Sequence, residues 1–347
     1  MKRIVHHALF WPSVTLALLL VASSLSNASF LSLSWRDGHL FGSVIDILNR
    51  AAPLMVVSLG MTLVIAVRGL DISVGAVVAI SAAVAALMIG GSFSATGEVH
   101  SDYPLWLALS AALAVAAACG LWNGLLVVKA GMQPIVATLI LMVAGRGIAQ
   151  LLTGGQIITV YYPPFFQLGN GFLLGLPVAL WIAGGLWLAL HLLLSRTALG
   201  LFVRSIGGNP EAARVAGVRS SAITLCVYTF CGFAAGVAGL IVSSNVKSAD
   251  ANNAGQLLEL DAILAVTLGG TALTGGRFQL AGTVIGALII QTLTSMIYSL
   301  GVPPEVNLVV KAALVFAVVL LQSAEFRSIV MRAARGNPNK PFGGVQK

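Results

Sequence analysis

The chain has 347 residues, 58% of them hydrophobic and only 9% charged. Soluble domains carry about 25% charged residues, so the composition excludes an ordinary soluble protein. The formal charge of +8 does not point to nucleic acid, because excess Lys and Arg in a membrane protein marks its cytoplasmic loops. Apolar runs of about 20 residues recur from end to end, which specifies an all-α polytopic membrane protein whose first partner is the lipid bilayer.

The N-terminus reads Met-Lys-Arg, then an apolar run at 9–25, then Ser26-Asn27-Ala28. This pattern fits a secretory signal with a small-residue cleavage site or a first transmembrane helix with its basic end inside. The even count of spans closes only if the segment is kept. A second span, 44–67, contains Pro53 and Gly60, where a kink is expected. It ends in the charged, glycine-bounded break Arg68-Gly69-Leu70-Asp71-Ile72-Ser73-Val74-Gly75. Spans follow at 74–90, 104–128 and 135–152, the last with Arg146 inside it, and at 177–194 after an uncharged loop at 153–176. Beyond a hydrophilic loop at 195–221, spans at 222–244, 257–273, 279–300 and 308–322 complete a set of about ten. The tail, 323–347, is basic and then rich in Pro and Gly, the composition of a disordered segment.

Ten spans put both termini on one side. With the N-terminus in the cytoplasm, the inner segments hold 14 of the 19 basic residues and 3 of the 11 acids. That bias fixes the expected orientation and places 195–221 in the cytoplasm. This loop carries Arg196, Arg204, Arg214 and Arg219 against one acid, Glu211. It also encodes a short helix. Asn209 suits the N-cap, Pro210 the first helical position, Glu211 the first turn, and Gly217 a left-handed C-cap. A helix of about two turns is unstable alone, so it must dock on a soluble partner or on the lipid surface. Orientation needs the charge; it does not need the caps.

Other polar residues stand in or beside spans. Arg68 and Asp71 flank the break, as a moving gate or as an ion pair stabilising a re-entrant turn; capping alone also explains Asp71. Arg146 must face protein or water, lining a cavity or pairing with an acid. Glu259 and Asp261 begin the eighth span on the outer side, where they could contact a partner or cap the helix. Thr62, Asn123, Gln133, Thr138, Gln150, Thr267, Gln291 and Thr294 are pathway candidates by type, or interhelical glue. Gly120-x-x-x-Gly124, Gly232-x-x-x-Gly236 and Gly282-x-x-x-Gly286 predict close helix contacts, within one subunit or between two. Cys119, Cys226 and Cys231 lie inside spans and read as small buried hydrophobes. No GxxxxGK[ST] phosphate loop occurs, so any ATP chemistry must come from another chain.

Four stretches in order, GMTLVIAVRGLDISVGAV (60–77), WNGLLVVKAGMQPIVATLILMVAGRGIAQ (122–150), TALGLFVRSIGGNPEAARVAGV (197–218) and LELDAILAVTLGGTALTGGRF (258–278), resemble the membrane permease subunit of bacterial ATP-driven (ABC) sugar importers of the ribose/galactose branch. The likeness covers 44–322. GHLFGSVIDILNRAAP (38–53) and DANNAGQLLELDAILAV (250–266) resemble its galactofuranose members more than the ribose ones.

The resemblance implies one permease domain, 1–347, of the ABC importer permease fold in the bacterial inner membrane, with no enzymatic activity and no cofactor of its own. ATP and Mg would be held by a partner ATP-binding subunit. A second permease, identical or homologous, and a periplasmic sugar-binding protein would complete the assembly. The loop would be the coupling segment through Gly207, Asn209, Pro210, Glu211, Ala212, Ala213, Arg214 and Gly217, although Gly208 stands where many members carry a polar residue. Pathway or gate roles would fall to Arg68, Asp71, Asn123, Gln133, Arg146 and Gln291, and binding-protein contacts to Glu259 and Asp261. An ion-coupled secondary transporter is the alternative, but it calls for buried acids at the midplane, whereas the acids here cluster at span ends. An intramembrane enzyme or metal site is disfavoured because none of the five histidines pairs with an acid at useful spacing.

Overall fold

The computed structural model describes residues 9–26, 30–36, 38–90, 92–93, 99–301 and 303–322. The Met-Lys-Arg end and the tail expected to be disordered lie outside these. Helices occupy every expected span: α1 (Phe10–Ser26), α2 (Ser43–Ala66), α3 (Val74–Ile89), α4 (Leu105–Val128), α5 (Pro134–Leu152), α7 (Val178–Arg196), α10 (Ser220–Val246), α11 (Leu258–Leu268), α12 (Leu280–Ser299) and α13 (Pro304–Gln322). Between them, α6 (Pro163–Asn170) fills part of a segment expected to be loop, and α8 (Leu199–Gly208) and α9 (Pro210–Val215) build the hydrophilic loop.

Six helices, α2, α4, α5, α7, α10 and α12, are long and apolar enough to cross a membrane. The expected span at 257–273 is shorter in the structure. Its helix α11 has 11 residues, about 16 Å at 1.5 Å per residue, well under a hydrocarbon core of about 30 Å. Gly269 and Gly270 end it: Gly270 adopts φ +88°, and Gly269 meets the Gly282 backbone with no room for a Cβ. Helix α2 runs unbroken through Pro53.

Short antiparallel pairs tie the connections: β1 (Ser34–Arg36) with β2 (His39–Phe41), β3 (Ser92–Phe93) with β4 (Val99–His100), β5 (Ile158–Thr159) with β8 (Ser248–Ala249), and β6 (Phe172–Leu173) with β7 (Leu176–Pro177).

Helix α10 is the central post, packed on α2, α3, α4 and α6. Helices α2 and α3 are buried on nearly all sides, as their apolar residues on every face require. Helices α4, α5 and α7 bury mainly small residues and turn side chains such as Trp106 (70% exposed) and Val143 (70%) outward, which suits a lipid-facing surface. The glycine motifs make contacts inside this chain. A Cβ on Gly120 would strike Tyr228 O and Gly232, one on Gly236 would strike Ala116, and one on Gly286 would strike Ala265 O. Small residues let these backbones approach, the usual basis of helix association in lipid.

The two ends of the bundle differ. At one, the Gly276 N–H donates to Ala66 O beside the α8–α9 loop (2.9 Å). At the other, the Leu40 N–H donates to Gly175 O (3.0 Å) and Asn170 Nδ2 donates to Ser244 O and Asn245 O.

Candidate functional site

The exposed loop is the first element of the site. Its helix α9 forms as the sequence expects: Asn209 Oδ1 accepts from the Ala212 N–H (3.1 Å), and Pro210 occupies the first helical position. Gly217 has φ +83°, its N–H donates to Arg214 O, and the Val218 N–H donates to Ala213 O. That pair of bonds is a complete Schellman closure. Within α9 only Ala213 is buried. Glu211, Arg214 and Val215 face outward, Val215 at 86% exposure. The Arg214–Glu211 ion pair (3.0 Å) is open to water and adds little stability. A rigid helix is thus held on one residue with the rest of its surface free.

Helix α8 carries it and is tied down from beneath. Arg68, in a left-handed conformation (φ +64°), donates from Nε to Gly207 O (2.7 Å) and from Nη2 to Gly208 O (2.6 Å). A guanidinium on the last carbonyls of a helix satisfies acceptors that have no helical partner and complements the dipole. Gly207 has no space for a side chain: a Cβ there would meet Ala66 O and Gly276 N. Arg204 lies over the Phe278 ring, 5.2 Å from its centroid, a cation–π contact. Arg204 and Arg68 therefore hold the loop through these contacts, although all four of Arg68, Arg196, Arg204 and Arg219 are exposed.

Arg68 and Asp71 do not form the ion pair considered above. Arg68 is drawn to the loop carbonyls. Asp71 is 1% exposed and accepts from Ser73 N (3.0 Å), Ser73 Oγ (2.6 Å) and Asn123 Nδ2 (3.4 Å). Asn123 also donates to Ser73 Oγ (2.8 Å). Asp71 makes a turn onto Ser73, the residue from which α3 starts, rather than a side-chain cap on the helix itself. Asn123 joins the two through its Nδ2, while its buried Oδ1 has no partner among the described residues.

Arg146 sits in the last third of α5, and its Nη1 donates to Ala251 O (3.0 Å) and Ala254 O (2.7 Å). Gln150, one turn on, donates to Asn252 Oδ1 (2.6 Å). Together they pin the loop that Asp250 organises from within through Asn252 and Asn253. Glu259 is 4% exposed and turned toward Gly75, a placement that does not offer it to a surface partner. Asp261 pairs with Lys311 (2.6 Å). Gln133 is exposed at the start of α5. Cys226 is exposed, contrary to its reading as a buried hydrophobe, because it lies on an outer face of α10. Thr62 and Thr283 bridge α2 and α12 (2.8 Å) and Thr138 reaches Leu70 O (3.3 Å), so these hydroxyls act as glue, whereas Thr267 bonds back to Leu264 O within its own helix.

Gln291 has a different setting. It lines a 620 Å³ cavity at the end of the bundle opposite Arg68, with Asp46, Asn49, Arg50, Asn245 and Tyr298. Sequence reasoning passed over Asp46, Asn49 and Arg50. Their i, i+3, i+4 spacing inside an apolar helix was the available signal. Among the described residues no group of three His, Cys, Asp or Glu side chains could hold a metal ion.

Residues 43–319 match the family described as branched-chain amino acid transport system / permease component. The galactofuranose transporter permease protein YtfT of Escherichia coli (strain K12) is 48% identical over 325 residues, 92% of each chain. The ribose import permease protein RbsC of the same strain is 36% identical over 81% of this chain and 85% of its own. The L-arabinose ABC transporter permease protein AraH of Azospirillum brasilense is 30% identical over 76% of this chain and 75% of its own. No solved structure matches. With the match running from the start of α2 almost to the end of α13, the chain belongs to the family of transport-system permease components.

Proposed function

We propose that this chain is the pore-forming subunit of an ATP-driven importer that passes a monosaccharide, of the galactofuranose class, from a periplasmic binding protein to the cytoplasm. The observation that carries this reading is 48% identity to a galactofuranose permease across 92% of both chains. The family description mentions amino acids, but relatives spread over the same length are named for sugars. In this reading the six helices named above together with α1, α3, α11 and α13 make ten spans, with both termini in the cytoplasm of a bacterial cell and the chain in its inner membrane. Residues 195–221 then face the cytoplasm, as the positive-inside bias favours.

The coupling surface is α9 and its flanks: Gly207, Asn209, Pro210, Glu211, Ala212, Ala213, Arg214 and Gly217. A capped helix with almost all of its surface uncovered suits insertion into a cleft of an ATP-binding subunit, which would hold ATP and Mg and carry out hydrolysis. Asp261, at the start of α11, is the nearer of the two acids to an outer surface, so it is the one assigned to a binding-protein contact. A second permease, identical or related, would complete the pore.

The test is reconstitution into proteoliposomes with candidate ATP-binding and binding-protein subunits. ATP-dependent uptake of sugar and not of leucine is expected. Uptake driven by an ion gradient without ATP would overturn the reading in favour of a secondary transporter.

A further inference from the structure

The cavity on Gln291 lies between three membrane helices, α2, α10 and α12, each of which turns polar residues into it. On α2, Asp46, Asn49 and Arg50 stand at i, i+3 and i+4 and share one face of an otherwise apolar helix. On α12, Gln291 and Tyr298 are seven residues apart and also share a face. Asn245 comes from the last turn of α10. Gln291 lies eight residues before Ser299, the end of α12, a depth of about 12 Å. Polar side chains at such positions are costly in lipid and are retained where they face a water-filled cavity or a substrate path. Three helices converge on the same space, so this is no single polar face left at a helix end.

The chemistry of the lining is specific. Asp46 and Arg50 contribute one charge of each sign, so the cavity has no net charge to favour an anion or a cation. Four carboxamides, Asn49, Asn170, Asn245 and Gln291, line it, a side chain that carries both a donor and an acceptor; Asn170 already spends its Nδ2 on Ser244 O and Asn245 O. Asn49 is half-buried at the cavity wall. The Tyr298 ring, 59% exposed, supplies an apolar face beside these groups. The volume of 620 Å³ falls within the roughly 300–1,000 Å³ of small-molecule sites.

We propose that this cavity binds one neutral monosaccharide during translocation, its hydroxyls held by Asp46, Asn49 and Gln291 and its ring edge packed on Tyr298. The inference rests on the importer reading above and adds the residues that receive the sugar. A zwitterionic amino acid, with its carboxylate on Arg50 and its ammonium on Asp46, is the competing occupant.

The test uses the complete transporter in proteoliposomes, with labelled galactose, ribose and fructose supplied through the binding protein and leucine as a competitor. N49A and Q291A are each expected to lower sugar uptake at least tenfold while ATP hydrolysis stimulated by the binding protein stays within twofold. Y298F should keep uptake and Y298A lose it. As a readout independent of turnover, T294C, at a lining position not assigned to the sugar, in a C226S background should react with a maleimide, and saturating galactose should slow that reaction at least threefold. Unchanged uptake in both amide variants, or labelling that galactose does not slow, overturns the cavity assignment while leaving the importer reading intact. Protection by leucine and not by galactose overturns it in favour of the zwitterion. A wild-type complex that imports no sugar refutes the importer reading itself.

Discussion

Arg68 Nε donates to the carbonyl of Gly207 at 2.7 Å, joining the end of the most buried membrane helix to the exposed loop that carries α9. The contact is two-pronged, because Nη2 reaches Gly208 O at 2.6 Å. Under the proposed docking of α9 on a partner, this contact is the one that would carry a movement of the loop to the break between α2 and α3. R68A should weaken this link. R68K should do so nearly as much, since an ammonium cannot span two carbonyls as the planar fork does. Mutations along coupling elements typically shift the coupling by 0.5–2 kcal/mol, roughly 2- to 30-fold. The expected result is sugar uptake reduced within that range per ATP hydrolysed, measured as the uptake-to-hydrolysis ratio in proteoliposomes. An unchanged ratio in both variants would remove Arg68 from the path.

The caps of α9 make a separate prediction. N209A removes the bond to the Ala212 N–H and should cost about 1 kcal/mol of local helix stability. G217A forces an L-residue into φ +83° and should cost about the same. Amide exchange across 210–218 should be several-fold faster in each variant, with the bundle unaffected. Capping variants that exchange at the wild-type rate would show that something other than these bonds holds α9.

Much of this was legible in the sequence because it is local. Asn209, Pro210 and Gly217 announce their helix by identity and spacing, and all ten apolar runs became helices because burying a backbone in lipid leaves no other choice. What the sequence did not carry is long-range. Arg68 and Asp71 are three residues apart and read as a pair, yet their partners, Gly207 and Asn123, are separated from them by 139 and 52 residues. Arg146 read as a lone mid-span charge because the carbonyls that receive it belong to a loop more than 100 residues later. The stripe of Asp46, Asn49 and Arg50 acquired meaning only when α12 was laid beside α2.

The glycine contacts between α4 and α10 are predicted to be intolerant of any side chain. G120A would place a Cβ against Tyr228 O and Gly232, and overpacking of this kind costs about 1–3 kcal/mol. G184A, in α7, meets nothing within 4 Å and serves as the matched control. Thermal unfolding of the purified chain in detergent should separate them, with a lowered midpoint for G120A alone. Equal midpoints would mean that α4 and α10 can part without loss.

Asp250 sets a pH dependence outside the membrane-spanning helices. The hydrogen bond from the Asn253 side chain holds its carboxyl below the ordinary value of 3.8. Partial burial opposes this, and the Asn252 and Asn253 amides and the charge of Arg146 add to it. A carboxylate depressed in the folded state contributes stability that is fully present above the unfolded value and lost as pH falls through the folded one. The order of the 250–256 loop should thus be insensitive to pH from neutrality down to that ordinary value, and should decline only below it. D250N keeps the size of the side chain and loses the charge, so its loop should be looser at neutral pH. The difference from wild type should stay constant on mild acidification and shrink toward zero in strong acid. Amide exchange of residues 251–256, compared between the two proteins at each pH, measures this directly. A difference that already disappears between pH 7 and 5 would mean that another group, titrating higher, organises the loop.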